Sequence, residues 1–336
     1  MQKSVNAIIC HHRGTLVDNA IESLLKSLEV SLEIIVATSS KPDEKRLKKK
    51  YPGLTIFFCE GGPAKKRNVA TRFATHDYLA FFDDDVEVTP YALFYMSEAL
   101  RNPSVGMVYG KLLNMEHRNR LDEAGSFLTW SGFLFARCES GIEDSGQFED
   151  SVCVLAGKSA ACIVRRNIFW KAGGFDESFG ILGEETDLSW RIWLLGKKVM
   201  YCPKSVTYHA FNTRFKPLDF YVPRRIYYNG CRNYMVMLIA CLEPHNLPIP
   251  LLCQTFVWLS AAMGFIVTGK FEAGWNILKA FYYLATNFRS IIKKRKIVQN
   301  FRVIPDRELL PMITHNPGFS YFLKRFFHYV QSGRHG

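Results

Sequence analysis

The sequence predicts an α/β fold, a Rossmann-like and mostly parallel sheet with flanking helices, followed by a helical, membrane-associated C-terminal region. Three observations carry this. Short apolar runs alternate with amphipathic stretches from Val5 to Phe82, the mark of βαβ units and a parallel sheet. The last of those runs passes directly into Asp83, Asp84 and Asp85, so acids stand at the carboxyl end of a strand, where such sheets bind their ligands. Beyond about residue 210 the charge balance and the hydropathy pattern both change.

VNAII (5–9) reads as a buried strand, and 17–28, apolar at 17, 20, 21, 24, 25 and 28, follows helical spacing. LEIIVA (32–37) is the next strand, a lysine-rich helix covers 42–50, LTIFFC (54–59) is a strand, 64–74 a helix and YLAFF (78–82) a strand. A helix over 90–101 and a strand near 105–109 follow, and the acidic, glycine-containing 139–150 reads as a flexible loop. Strand character returns at VCVLAG (152–157), a helix runs through EETDLSWRIWLLG, and KVMYCP (198–203) is a strand that ends near SVTYHA.

The 336 residues are 48% apolar and 14% aromatic, enough for a substantial core and too apolar for a disordered chain. Nine cysteines are scattered singly without a CxxC pair, which fits reduced thiols better than zinc ligands or a disulfide framework. MQKSVNAIICHHRG lacks the pattern of a cleaved secretory signal, so a cytoplasmic location is expected.

The net charge of +12 is unevenly placed. Residues 1–209 hold 26 Lys and Arg against 26 Asp and Glu, and residues 210–336 hold 17 against 5, so 17 minus 5 is the whole excess. Two domains are therefore expected, 1–210 and 211–336, the second meeting an anionic membrane surface at its cytoplasmic face. Pro244 to Gly269 contains no charged residue, and from Leu247 to Thr268 it is long enough to cross a bilayer or re-enter it. A buried hairpin of a soluble domain has the same composition. The polybasic SIIKKRKIVQNFR (290–302) would face anionic lipid. No nucleic-acid partner is expected.

Three adjacent aspartates repel one another unless a cation or a hydrogen-bonding ligand sits among them, and hard carboxylate oxygens suit Mg²⁺ or Mn²⁺. A solvated acidic turn is the plainer alternative. A second acidic cluster, Glu184, Glu185 and Asp187, follows Gly183; on a helix Glu184 and Asp187 share a face. Acids at a helix N-terminus also serve as caps and dipole partners.

Taken together, the motifs resemble the family 2 glycosyltransferases of the GT-A fold, with rhamnosyl- and galactofuranosyl-transferase-like members nearest. FFDDDVEVTP is similar to their DxD strand, and GPAKKRNVA to their Arg-Asn helix start. AGKSAACIVRRNIFWKAGGFDESFGILGEETDLSWRIWLLGKKVMYCPKSVTYH resembles their acceptor-side block, closing on Tyr-x-His. The likeness runs through residues 3–210 in order.

The resemblance implies a nucleotide-sugar donor (a UDP- or dTDP-sugar), a glycan or lipid-linked acceptor, and Mg²⁺ or Mn²⁺. It implies Asp83, Asp85 and His209 as metal ligands, and Glu185 as catalytic base, with Glu184 and Asp187 in the same acidic cluster. His11, Thr38, Arg67, Asn68, Asp83 and Asp84 fall on the donor side, and Gly157, Trp190 and Arg191 on the acceptor side. Two departures lie in the base pocket: Ala37, Thr38 and Ser39 stand where the second strand usually ends in an aspartate, and His11 and His12 close the first strand. The competing classes are a nucleotidyltransferase, disfavoured because CHHRGTL has a single glycine, and a non-catalytic sugar-binding protein on the same fold.

Overall fold

The structure, a computed structural model, describes residues 3–210 and 224–318. Within them the chain divides into two compact units, one built from residues up to Ser126 and from Ala136 onward, the other from Phe127–Phe135 and the helices that begin at Arg224. The expected boundary at 210/211 adjoins residues outside the described ones.

The first unit holds one large sheet. Its strands are β1 (Lys3–His11), β2 (Val30–Thr38), β3 (Thr55–Phe58), β4 (Tyr78–Asp83), β5 (Val86–Val88), β6 (Val105–Asn114) and β7 (Leu121–Glu123). After a short ladder of β8 (Ser126–Leu128) with β9 (Leu134–Ala136) come β10 (Val152–Cys153), β11 (Ala161–Arg165) and β12 (Lys198–His209). The order is β10-β12-β6-β11-β4-β1-β2-β3, with β5 on β12 and β7 on β6. β1 to β4 are parallel, as the alternating pattern predicts, and β6 pairs with β12 in parallel, whereas β11 runs antiparallel to both β4 and β6 and makes the sheet mixed.

Six helices flank this sheet: α1 (Leu16–Leu24), α2 (Lys41–Lys50), α3 (Pro63–Ala70), α4 (Ala92–Ala99), α5 (Arg166–Lys171) and α6 (Glu184–Leu194). α1 buries Val17, Ala20, Ile21 and Leu24, the stripe its spacing predicts, and lysine-rich α2 buries only Leu47. The Ser40 hydroxyl accepts from the Asp43 N–H and caps α2. The strands are continuous apolar runs because both sheet faces are covered; Ala7, Ile8, Ile9, Phe81 and Phe82 are fully buried.

The acidic 139–150 segment is tied down, unlike the flexible loop its composition predicts. Buried Lys111 donates to Asp144 at 2.9 Å and also to Glu149, and Arg120 donates to the Gly141 carbonyl at 2.8 Å. A buried ammonium needs carboxylate partners, and only this loop supplies them.

The second unit contains α7 (Arg224–Cys241), α8 (Pro248–Val267), α9 (Phe271–Thr286), α10 (Phe288–Asn300) and α11 (Asp306–Ile313). α7, α8 and α9 pack through Tyr227, Cys231, Met235, Ala262, Phe265, Ala273, Ile277 and Ala280. Phe127–Phe135 joins them: Gln254 donates to the Gly132 carbonyl at 2.8 Å, and the His315 ring stacks on Phe135 at 4.6 Å. Nothing in the sequence of this insertion marked it as part of the second unit. α8 is the one described helix long and apolar enough to cross a membrane.

Candidate active site

β4 ends on Asp83, and the turn after it leads into β5, which pairs antiparallel with the end of β12. That ladder sets Val86 opposite His209, and the Ala210 N–H donates to the Asp85 carbonyl at 2.9 Å. Backbone pairing thus brings the last residue of β12 to the acids at the tip of β4. One donor atom each from Asp83, Asp85 and His209 lies within 4.8 Å of the others. His209 Nε2 is 3.3 Å from Asp85 Oδ1, and its Nδ1 lies 2.8 Å from Asp122 Oδ2. Asp122 in turn accepts from Lys158 Nζ at 2.6 Å.

Two carboxylates and an imidazole whose other nitrogen is held by a carboxylate form a donor set that fits a hard divalent cation. Burial alone would lower the His209 pKa, but the hydrogen bonds to Asp122 and Asp85 prevail and hold it at about 9. Asp122, despite the cost of its burial, is held well below the usual carboxylate range by Lys158 and His209.

Asp84 points elsewhere. Its Oδ2 is 2.6 Å from His11 Nδ1 and accepts from the His12 N–H at 3.1 Å, and these bonds outweigh burial to lower its pKa. β1 and β2 are in parallel register, with His11 opposite Thr38, so both strand ends open on the same edge as Asp83. His12, exposed, lies 3.0 Å from Ser39 Oγ just past the end of β2.

Arg67 joins the two acidic clusters. It sits on α3, is 2% exposed, and donates from one amino group to Asp83 at 2.8 Å and from the other to Glu184 at 3.2 Å, with the Phe175 ring 5.2 Å away. Gly183, at φ +84° ahead of α6, turns the chain so that the helix opens with Glu184 at this guanidinium. Glu185, the next residue, is partly exposed. Desolvation, then the neighbouring Glu184 carboxylate, push Glu185 well above the ordinary carboxylate pKa. The Tyr109 hydroxyl, 2.7 Å from Ser189 Oγ and 3.4 Å from the Glu185 carbonyl, fixes this turn of α6 to β6.

The other expected site residues make packing and bracing contacts in this structure. Asp187 is fully buried and its Oδ2 accepts from both Nε and an amino group of Arg191, at 2.9 and 2.5 Å, a pair that braces α6. Arg191 also donates to the Ala172 carbonyl, and Trp190 is 1% exposed, so both are held within the packing of α6. Gly157 is buried, and a Cβ there would stand 2.8 Å from the Tyr109 ring, a packing constraint that favours glycine. Asn68 donates to the Phe175 carbonyl at 2.8 Å and accepts from its N–H at 2.9 Å, which fastens the GGFDE loop and leaves the amide unavailable to a donor. Thr38 is buried and its hydroxyl accepts from the Ser40 N–H at 3.1 Å, so it shapes the edge of the sheet. Arg67 is enclosed between its two carboxylates and organises the donor side from beneath. Asp122, Lys158 and Tyr109 went unrecognised in the sequence, because no local spacing links them to the residues they hold.

An α/β sheet with paired acids at the tip of a strand and a histidine closing over them is the GT-A arrangement, and solved structures agree on the fold. The structure of GalNAc-T7 with UDP, GalNAc and Mn²⁺ matches with a TM-score of 0.62 at 13% identity, over 96% of this chain and 58% of that one. TarS 1–349 from S. aureus in complex with UDP-GlcNAc matches with a TM-score of 0.56 at 16% identity, over 98% and 90% of the respective chains. Residues 7–161 match the family described as Glycosyl transferase family 2, and the fold is that of the GT-A structures just named. A pre-mycofactocin glycosyltransferase from Mycobacterium tuberculosis is 27% identical over 169 residues, 50% of this chain and 34% of the relative. The O-antigen biosynthesis protein RfbC from Myxococcus xanthus is 32% identical over 139 residues, 40% of this chain and 11% of the relative. The chain therefore spans a third or less of the length of the curated relatives it matches.

Proposed function

We propose that this chain is an inverting, divalent-metal-dependent glycosyltransferase. It would move a sugar from a nucleoside-diphosphate sugar to a hydroxyl of a lipid-linked or cell-surface glycan, at the cytoplasmic face of the cell membrane. The observation that carries the reading is the meeting of Asp83, Asp85 and His209 at one strand edge, joined through Arg67 to the start of α6 where Glu185 stands. The nucleotide sugars in the structures of similar fold and the names of the sequence relatives support it.

Asp83, Asp85 and His209 would hold Mg²⁺ or Mn²⁺, which supplies positive charge to the departing diphosphate. Glu185 takes the proton from the acceptor hydroxyl as that oxygen bonds to the anomeric carbon, and the bond from this carbon to the diphosphate oxygen breaks on the opposite face. A base whose pKa is raised above the ordinary carboxylate value suits this step, which is worth about 10²–10⁴ in rate. Glu184 and Arg67 hold the base helix against the donor side, and one displacement inverts the anomeric centre without a covalent intermediate. His12 and Ser39 replace the usual base-reading acid on the donor side.

Incubating the purified chain with a panel of UDP- and dTDP-sugars, with Mn²⁺, Mg²⁺ or EDTA, tests this. Release of nucleoside diphosphate that requires the metal supports sugar transfer. Release of sugar 1-phosphate would identify a nucleotidyltransferase, and saturable binding without turnover a sugar-binding protein.

A further inference from the structure

α8 does not have the surface of a core helix. Ile249, Leu252, Phe256, Leu259, Met263 and Val267 are each 43–77% exposed, and at about 100° per residue they fall within one stripe roughly 80° wide. After the turn at Gly269, Phe271, Trp275 and Tyr282 on α9 form a second exposed stripe within roughly 40°. Exposed apolar rows of this length exceed what a solvated surface normally carries.

Nor does α8 have the surroundings of a transmembrane span, although its 20 residues are long enough. Its other face is packed on α7 and α9. A crossing α8 would draw both partners into hydrocarbon with Arg232 and Asn233 of α7 and with Glu272 and Lys279 of α9, and charges are costly there. The inward face of α8 is itself polar at Gln254, which donates to the Gly132 carbonyl and accepts from Trp258 Nε1, both at 2.8 Å. The basic excess of the whole chain lies in this same region. On α10, Lys293 and Lys296 are exposed, while Arg295 turns inward to the carbonyls of Ile239 and Leu242 at the end of α7.

We infer that the α8 and α9 stripes form a monotopic insertion face, lying in the plane of an anionic lipid surface and entering one leaflet only. Apolar side chains sink to the acyl boundary while the lysines of α10 meet anionic headgroups, the two-signal attachment that makes an interfacial protein stay bound. This rests on the membrane-surface part of the proposed function and corrects its geometry, since a bilayer-crossing or re-entrant segment at 247–268 is replaced by an in-plane one. It does not rest on the sugar chemistry.

The full chain is co-sedimented with phosphatidylcholine vesicles, with and without phosphatidylglycerol, and each result is read beside diphosphate release in detergent. The exposed triple variant Leu252→Ser/Phe256→Ser/Met263→Ser is expected to lose at least tenfold in partition to the anionic vesicles, with Tm and diphosphate release unchanged. Lys293→Gln/Lys296→Gln is expected to weaken binding at low salt and to be indistinguishable from the parent at 1 M salt, where charges are screened. Fluorescence lost on Trp275→Phe should be quenched by lipids brominated near the headgroups and not by those brominated at the chain ends. Undiminished binding of the triple variant, or quenching from the chain ends, overturns the insertion face and leaves membrane association standing. A triple variant that changes the sedimenting mass without changing vesicle binding assigns the stripe to a second copy of the chain. Absence of any vesicle binding removes the membrane placement and leaves the transfer reaction to be judged on diphosphate release.

Discussion

Glu185 and Asp122 are the residues at which the proposed chemistry is most exposed to test. Glu185→Gln keeps size and most hydrogen bonding but accepts no proton, so transfer is expected to fall about 10²–10⁴-fold while donor affinity, measured on the same preparation, stays near normal. An equal loss from Glu184→Gln would move the base to its neighbour. Asp122 holds His209 Nδ1 so that Nε2 faces Asp85. Asp122→Asn is expected to weaken Mn²⁺ affinity about 10–100-fold, the usual effect of removing the partner of a ligating histidine. Asp85→Ala and His209→Ala, ligands of one ion, should be strongly non-additive in a double-mutant cycle of metal-dependent turnover. Losses that simply multiply would show that they serve separate sites.

At the scale of elements, α6 divides its work along its length. Glu184 and Glu185 open it toward the cleft, and one turn later Asp187 and Arg191 lock it in the core. Asp187→Ala leaves the buried guanidinium unpaired and is expected to cost about 3–5 kcal/mol of stability. Denaturant unfolding measures this, and a folded fraction that still binds the donor normally separates bracing from catalysis. The β5–β12 ladder does the corresponding work for the metal site, since a register slip would turn His209 to the other sheet face.

For the whole molecule, proton and metal compete at the strand edge. His209 titrates near 9 in the metal-free chain, above the 6.5 of an unperturbed imidazole, so its protonated form stabilises the fold below about pH 6.5 and that contribution is lost as pH rises through 9. A bound cation needs the neutral imidazole, so Mn²⁺ affinity is expected to rise steadily from pH 6 to 9. Thermal shifts recorded with Mn²⁺ and with EDTA across that range check both signs: the metal-induced rise in Tm should grow as the EDTA baseline falls. A flat metal response would remove His209 from the ligand set.

Sequence by itself determined the elements and the chemistry at their ends. The run from Tyr78 to Phe82 before three aspartates, the helical stripe of α1 and the parallel β1–β4 core are set by local periodicity, which each segment carries within itself. The length of α8 was equally visible as a stretch without charge, but not its exposure. Tertiary structure alone decided which acids serve which task. Asp83 turns to Arg67, Asp84 to His11 and Asp85 to His209, although the three are adjacent and chemically alike. It also decided that Asn68, Asp187 and Arg191 are engaged in packing, that Asp122 stands behind His209, and that one face of α8 packs on α7 and α9 while the other is exposed. The reason is physical: a side chain's role is fixed by the partner that satisfies its charge or hydrogen bonds on burial, and apart from the Asp187–Arg191 pair within α6 those partners come from strands and helices far away in the chain.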